Sequence, residues 1–334
     1  MLIITVDVGT TNSRIKVIEN RQILATAGTR VGIKDVAISG SQHILEEGLT
    51  KIIFEGLEKA ERLIKDVAYF AASGMITSNL GLVEIPHRIS PASVDDLAEG
   101  VEERTFPWAE GKPFYFIPGV KNAVSSISID NLDEIDVMRG EEVEAFGIIE
   151  LCHIQGPALM ILPGSHTKFV WINEYNEIEK CSTTMLGEFL HALANATILS
   201  NSINQELITK VDEAYIKRGI AFEKKNGVTK SAFAVRLMDI SLDTTPNERA
   251  NFLAGALVAN DISPRIIADI ENKYHRIYIG GSSPLKDIFK IVLNNKGIKN
   301  IDITVLTDDI TDKAAAAGAI SIVEHLKESK KKTI

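Results

Sequence analysis

The chain has 334 residues, enough for two domains of ordinary size, and its 45% apolar and 24% charged content is that of a soluble globular protein. Its net charge of −9 argues against a nucleic-acid binder, which would present a basic face, though not against a local cationic pocket for an anion. No apolar run reaches membrane-spanning length, and the opening run stops at Asp7 without a basic leader, so we expect no membrane contact and no signal peptide.

Residues 2–6, LIITV, are the first expected strand and run into DVGTTNSR at 7–14. Residues 15–18 then read as a strand, 19–22 as a turn and 23–26 as the returning strand. This succession matters. A P-loop needs G-x-x-x-x-G-K-[ST] opening a helix, a dinucleotide turn needs G-x-G-x-x-G opening one, and neither is present. A strand, a Gly/Thr turn and a strand can still bind phosphate, because successive backbone N–H groups and hydroxyls can point into one concavity. From Leu45 to Ile64 apolar residues recur every three or four positions and predict a helix. Residues 67–72 read as a strand ending in SGMITSN (73–79), and 114–117 as another ending at Pro118-Gly119. Strands and a helix in this order predict a mixed sheet with helices on its faces.

A second half is expected to start near residue 147. Residues 158–162 form an apolar strand that ends in PGSHTK (163–168); 169–172 return, 173–176 turn and 177–184 extend again. This repeats the grammar of residues 2–27 and suggests a duplicated fold with two facing phosphate loops. Further on, 276–279 run into GGSS (280–283), 284–293 read as a helix with proline near its start, and 301–306 as a strand. Thr311 or Asp312 is the expected cap of a final helix, from Lys313 to about Lys327, whose Ala317, Ile320, Val323 and Leu326 make one apolar stripe. The small residues of AAAAGA (314–319) would let that helix pack closely, and the basic tail beyond it reads as a solvated end. Cys152 and Cys181 lie far apart with no CxxC partner, so we expect neither a disulfide nor a zinc site, and a reducing compartment.

DVGTTNSR, GMITSN, VMRGEE (137–142), PGSHTKFV and TTMLGE (183–188) occur in that order. Together they resemble the 2-dehydro-3-deoxygalactonokinase family, sugar-acid kinases of the actin–hexokinase–Hsp70 ATPase superfamily, over roughly residues 3–323. Leu186, where the family often has Thr, and Val8, where many members have Trp, depart from the pattern. The resemblance implies an α/β, two-lobed actin-like ATPase (ribonuclease H-like) fold with duplicated mixed sheets. It implies two lobes with an active site in the cleft; we expect the first lobe over residues 1–146 and the second over 147–311, with the terminal helix, 312–334, returning to the first lobe or bridging the hinge. It also implies ATP as co-substrate with Mg²⁺, a cytoplasmic setting, and phosphorylation of the C6 hydroxyl of 2-dehydro-3-deoxy-D-galactonate. A related keto-deoxy sugar acid as acceptor, a phosphohydrolase and a non-catalytic ATP-binding sensor of the same fold are the alternatives, and homo-oligomerisation is left open.

Phosphoryl transfer needs alignment, a cation and donors around the γ-phosphate, and a carboxylate near the acceptor hydroxyl. On the resemblance, Asp7 would hold Mg²⁺ through water, where the plainer reading is an Asx turn. Gly9, Thr10, Thr11 and Asn12 would offer donors to the β- and γ-phosphates, with Arg14 either neutralising phosphate or pointing outward from the sheet. Gly164, Ser165, His166, Thr167 and Lys168 would form the second phosphate loop, Lys168 being a phosphate contact or simply a strand residue. Glu141 is expected as the catalytic base, in the place where related sugar kinases carry Asp, with Glu142 as the alternative base. The plainer reading is that Glu141 and Glu142 complement a helix N-terminus. Asp136 is the reserve candidate for the base. Arg139 is expected to clamp the substrate carboxylate bidentately, with Gly74, Met75, Asn79 and Glu142 around the acceptor. Gly280, Gly281 and Ser282 would lie against adenine, or form an ordinary turn.

Overall fold

A computed structural model describes residues 1–204 and 206–332, so the last two residues of the basic tail, Thr333 and Ile334, lie outside the described residues. The chain divides into two compact units. The first comprises Met1–Gln155, Glu174–Cys181 and the chain from Asp312 onward; the second comprises Gly156–Asn173 and Ser182–Thr311. Residues 147–155 go with the first unit, most of them because the helix that starts at Glu141 runs on to Cys152.

The first unit begins with a meander, β1 (Leu2–Val8), β2 (Ser13–Glu19) and β3 (Gln22–Thr29). Asn20 and Arg21 take left-handed φ values of 52° and 62°, the conformation that a two-residue hairpin turn requires. Helices α1 (Ile33–Ser39) and α2 (His43–Lys59) follow, then β4 (Val67–Gly74), β5 (Arg88–Ile89), α3 (Val94–Glu99), β6 (Glu102–Thr105), β7 (Pro113–Phe116), β8 (Val120–Lys121), β9 (Val137–Met138) and α4 (Glu141–Cys152). The main sheet has the order β3-β2-β1-β4-β7-β6, and β5-β8-β9 make a small separate sheet. Successive side chains of a strand leave opposite faces, so β1 divides its residues. Leu2, Ile4, Val6 and Val8 enter a core with Leu45, Leu49, Ile52 and Ile53 of α2, whereas Asp7 leaves by the other face. Phe70 of β4 stacks on Phe114 of β7 in that core, with ring centroids 4.1 Å apart.

In the second unit β10 (Ala158–Leu162) and β11 (Thr167–Ile172) form a hairpin, and the chain passes between the units within β12 (Ile178–Thr184). Then come α5 (Leu186–Ala196), α6 (Glu213–Asn226), α7 (Val228–Ser241), α8 (Pro246–Asp261), α9 (Pro264–Asn272), β13 (Arg276–Ile279), α10 (Leu285–Asn295), β14 (Asp302–Val305) and α11 (Asp308–Lys332), in which the chain returns to the first unit. The sheet order is β12-β11-β10-β13-β14. In each unit the first strand pairs antiparallel with the second and parallel with a later one, β4 or β13, which is itself parallel to the next, β7 or β14. The duplication read from the strand grammar is thus a duplication of topology.

Several helices differ from expectation. The helix predicted up to Ile64 stops at Lys59, because Glu61 is left-handed at φ 53° and Ile64 is buried from a short 3₁₀ turn instead. The last helix starts at Asp308 rather than at Lys313. Helices α1, α3 and α5 to α9 were not expected; α8 is buried almost throughout, so it shows no polar face to mark its period.

Candidate active site

The first loop closes β1 onto β2. The Gly9 N–H donates to the Asn12 carbonyl at 2.8 Å, and the carbonyls of Gly9 and Thr10 accept from the Ile33 and Lys34 N–H groups of α1 at 3.1 and 2.9 Å. In a trans peptide C=O and N–H point in opposite directions. Tying those two carbonyls to α1 therefore turns the N–H groups of Thr10 and Thr11 away from it, and neither takes a partner among the described residues. Thr10, Thr11 and Asn12 are exposed, with the Asn12 side-chain amide donating to Thr11 Oγ1 at 2.9 Å. The result is a pair of successive, unengaged backbone N–H groups at a strand end, a feature from which anion sites can be built.

Carboxylates gather beside it. Asp7 pairs across the hairpin with Arg14. It is the exposed residue of an otherwise buried strand, yet enough protein crowds its carboxyl that desolvation raises its pKa. Arg14 opposes that shift, Glu141 adds to it and Lys16 again opposes it. Glu141 starts α4, half-exposed, and its Oε2 accepts the Arg139 N–H at 3.1 Å. Glu142 is fully buried, and both its oxygens accept the Gly140 N–H, at 2.9 and 2.8 Å. Burial, and secondarily the Glu141 charge, push Glu142 up to about 8. Glu144, one turn along α4, is pushed up to about 7 by burial and by the charges of Glu141 and Asp7. Glycine brings these groups together. A Cβ on Gly140 would lie 3.3 Å from the Gly74 Cα and 3.9 Å from Asp7 Oδ1, and one on Gly74 would lie 2.5 Å from the Val8 carbonyl and 2.9 Å from Asp7 Oδ1. Among the described residues no three His, Cys, Asp or Glu side chains are arranged to hold a metal ion directly.

A carboxyl whose folded pKa exceeds its unfolded value keeps a proton in the native state that the unfolded chain has released, so stability falls as pH rises between the two values. For Glu142 that window runs from the ordinary 4.5 to about 8. Glu142→Gln, which mimics the protonated form, should leave stability at pH 5 nearly unchanged and flatten the loss of Tm between pH 5 and 8. Thermal melts of both proteins across that range check it; parallel pH profiles would contradict it.

Arg139 lies just before α4. Its Nη1 donates to the Thr77 carbonyl at 2.7 Å and to Thr77 Oγ1 at 2.5 Å, and its Nη2 to the Ile85 carbonyl at 3.0 Å. Nη2 also lies 3.3 Å from His87 Nδ1. Burial, then the Arg139 and Lys121 charges, lower His87 to about 4, so its ring is neutral and Nδ1 accepts. Four of the five guanidinium donors are thereby engaged by protein, which leaves Nε alone. The two-pronged clamp on a substrate carboxylate expected of Arg139 is not available in this arrangement. Instead Arg139 ties the SGMITSN loop to the start of α4. On that loop Gly74 is buried, Met75 half-buried and Asn79 exposed. Asp136 lies before β9, outside α4.

In the second unit PGSHTK closes β10 onto β11. Gly164 and Ser165 are exposed and His166 is half-buried, with its Nε2 3.3 Å from Glu188 Oε1. Thr167 is buried, and its Oγ1 has no partner among the described residues. Lys168 is 6% exposed and its ammonium donates to Thr183 Oγ1 at 2.6 Å, so it is an interior strand residue. Gly280 continues the β13 ladder, donating to the Ile161 carbonyl at 2.9 Å. Gly281 has φ +72°, and a Cβ there would lie 2.5 Å from the Pro163 carbonyl, so GGSS and PGSHTK are packed loop on loop. Ser282 is exposed, and the neighbouring Ser283 hydroxyl donates to Asp287 Oδ2 at 2.6 Å. Asp287 also lines a surface cavity of about 420 Å³ between α6 and α10, with Glu213, Lys217 and Lys290.

Other residues hold these loops in place and were not singled out from the sequence. Gly32 underlies the first loop; a Cβ there would lie 2.6 Å from the Thr10 carbonyl. Gly187, in the first turn of α5, lies against the Gly164 carbonyl, and the Glu188 N–H donates to the Ser165 carbonyl at 3.0 Å. Thr184 donates to Asp261 at 2.8 Å, and burial pushes Asp261 up to about 6. Nothing in a lone sequence marks a glycine whose partner is distant in the chain. Gly187→Ala should displace the second loop and, on the phosphate-binding role expected of that loop, raise the KM for ATP about tenfold or more, with less effect on the acceptor KM. Unchanged nucleotide kinetics would show that the loop yields freely.

A family model described as 2-keto-3-deoxy-galactonokinase matches residues 7–322. No curated protein matches the chain. A Sinorhizobium meliloti crystal structure, provisionally described as a 2-dehydro-3-deoxygalactonokinase, superposes with a TM-score of 0.74 at 21% identity, over 96% of this chain and 96% of that one. The activator of the 2-hydroxyisocaproyl-CoA dehydratase from Clostridium difficile, solved with bound ADPNP, superposes with a TM-score of 0.54 at 12% identity, over 99% and 98%. Component A of the Acidaminococcus fermentans (R)-2-hydroxyglutaryl-CoA dehydratase does so at 0.51 and 13%, over 97% and 99%. At these identities the likeness is one of fold, and the fold is that of the actin-like ATPases and kinases.

Proposed function

We propose, for a chain that belongs to the 2-keto-3-deoxy-galactonokinase family, that this sugar-acid kinase transfers the γ-phosphoryl of ATP to the C6 hydroxyl of 2-dehydro-3-deoxy-D-galactonate. The observation that carries the reading is the half-exposed Glu141 carboxylate, set beside Asp7 and the acceptor loop in the unit that carries the Thr10–Thr11 N–H pair. The N–H groups of Thr10 and Thr11 bind phosphoryl oxygens. Glu141 orients the C6 hydroxyl and takes its proton as the new O–P bond forms and the bond to the ADP oxygen breaks. Gly74, Met75 and Asn79 line the acceptor. Arg139 braces the acceptor loop and has only Nε to offer the substrate carboxylate.

The donors fit a magnesium nucleotide. Asp7 is a hard oxygen ligand whose ionised form a nearby cation would favour, and Mg²⁺ takes one or two carboxylates together with water and phosphate oxygens. Bound there, Mg²⁺ would neutralise charge on the transferring phosphoryl. In the second unit the buried, unpartnered Thr167 hydroxyl and the exposed Gly164-Ser165 backbone suit phosphate, while Gly280, Gly281 and Ser282 offer a side-chain-free surface to adenine. His166 serves this loop as a hydrogen-bond donor.

ADP release measured with and without acceptor, against a panel of aldonic and 2-keto-3-deoxy acids, tests the reading. We expect slow ADP release alone and a rise of at least about a hundredfold with 2-dehydro-3-deoxy-D-galactonate, because proton transfer to a positioned base alone contributes that much. Equal release with and without any acceptor would identify a phosphohydrolase. No turnover with any acid, despite ATP binding, would identify a sensor.

A further inference from the structure

Helix α7 is apolar on two sides. Ser231, Ala234, Val235 and Met238 are buried and face the core of the second unit. Phe233, Leu237 and Ile240 recur at the same helical spacing on a different side and are 47%, 37% and 62% exposed, and Leu242, which ends the helix, is 59% exposed. A surface helix ordinarily carries one apolar stripe and a polar face opposite it. The polar residues between the stripes do not screen the outer one: Arg236 is held by Asp239 at 2.7 Å, and Asp239 by the Ser202 hydroxyl at 2.9 Å. Ile198, at the start of the short turn that leads to Ser202, adds a further exposed apolar side chain at 62%.

The charges at the ends of the outer stripe fix what suits it. Lys230 is exposed at the N-terminal end, its ammonium 5.7 Å from the Phe233 ring, and Asp243 is exposed just past the C-terminal end. Neither has an ion-pair partner among the described residues. The midpoint of 230 and 243 falls between 236 and 237, as does the midpoint of the apolar stripe, 233 to 240. Two copies of α7 laid antiparallel about that point set Lys230 against Asp243 twice and Phe233 against Ile240 twice, with Leu237 near the axis. This self-complementarity is what a two-fold, isologous contact requires. A membrane surface would call for a basic rim instead, and this stripe has one cation and one anion.

We propose that α7 is the contact through which two copies of this chain form a homodimer, with Phe233, Leu237 and Ile240 as its apolar centre and Lys230–Asp243 as its paired charges. The inference is independent of the catalytic reading. Sedimentation velocity on the full chain at micromolar concentration should show a dimer, and Leu237→Glu should give a monomer with an unchanged far-UV circular dichroism spectrum. Lys230→Asp and Asp243→Lys should each weaken the dimer about tenfold, since each breaks both symmetric pairs and sets like charges together. The double variant should recover the wild-type dissociation constant, a result peculiar to the antiparallel arrangement. Leu237→Cys should cross-link to itself on mild oxidation. A monomeric wild-type protein, a dimer that survives Leu237→Glu, or a double charge variant no better than the singles would overturn the proposal.

Discussion

Replacing Glu141 with Gln should lower kcat by at least about a hundredfold while leaving the acceptor Kd little changed. A primary hydroxyl is a poor nucleophile, and a positioned general base is typically worth roughly 10²–10⁴ in rate. Gln keeps the size and polarity of the side chain, and its carbonyl can still accept the Arg139 N–H, so the start of α4 should hold its shape. What it loses is the capacity to take a proton. Glu142→Gln is the control. Glu142 is fully buried and its oxygens are taken up by the Gly140 N–H, so it has no route to a substrate hydroxyl, and adjacent helical residues point about 100° apart. Its variant should keep kcat within about threefold, well short of the loss expected for a base. Near-native kcat for Glu141→Gln, with a large loss for Glu142→Gln, would place the base one position on. If neither change matters, Asp136 becomes the residue to test.

Gly147→Ala should destabilise the first unit by about 3 kcal/mol, against the usual sign for this substitution. Inside an exposed helix, Gly to Ala normally stabilises by about 0.5–1 kcal/mol. Here α4 and α11 cross backbone to backbone. A Cβ on Gly147 would fall well inside contact distance of the Ala314 carbonyl and 2.9 Å from the Gly318 N, and one on Gly318 would do the same to the Val143 carbonyl. The obstacle in both cases is main chain, which cannot step aside by changing rotamer. The helices must separate, and overpacking of this kind typically costs about 1–3 kcal/mol, occasionally more. For a unit of this size about 3 kcal/mol corresponds to a fall in Tm of roughly 6–12 °C. α4 also carries Glu141, so activity per folded molecule should fall as well. A thermal melt shows the effect directly, and an unchanged or raised Tm would mean that the crossing is looser than described.

Much of this architecture is legible in the chain. The meander over residues 2–29, the strand 158–162 with its return, and the strand before GGSS show themselves because their apolar runs are short and bounded by turn residues. The turn at Asn20-Arg21 and the close packing of AAAAGA follow from residue type alone. Helix α8 escapes such reading because it is buried on every side, and the end of α2 because its last apolar residues, Leu63 and Ile64, continue the helical spacing after the helix has stopped. The division of the chain is partly hidden for a related reason: α4 spans the place where a boundary at 146/147 was expected, and a helix does not announce which core it joins.

By itself, then, the sequence determined the duplicated strand grammar, the two Gly-hydroxyl loops, the kinase family and the residue types available for phosphoryl transfer, all of which depend on neighbours in the chain. Tertiary structure decided how those residues are used. Glu141 and Glu142 are adjacent and alike in sequence, yet one is half-exposed and the other sealed behind the Gly140 N–H, because a helix turns successive side chains to different surroundings. Arg139 reads as a carboxylate clamp until Thr77, Ile85 and His87, 52 to 62 residues away, are found to occupy its donors. Lys168 could face either way until its ammonium is placed on Thr183. In each case the side chain's chemistry was readable locally, and its availability was set by partners brought in from distant parts of the chain, which no local pattern encodes.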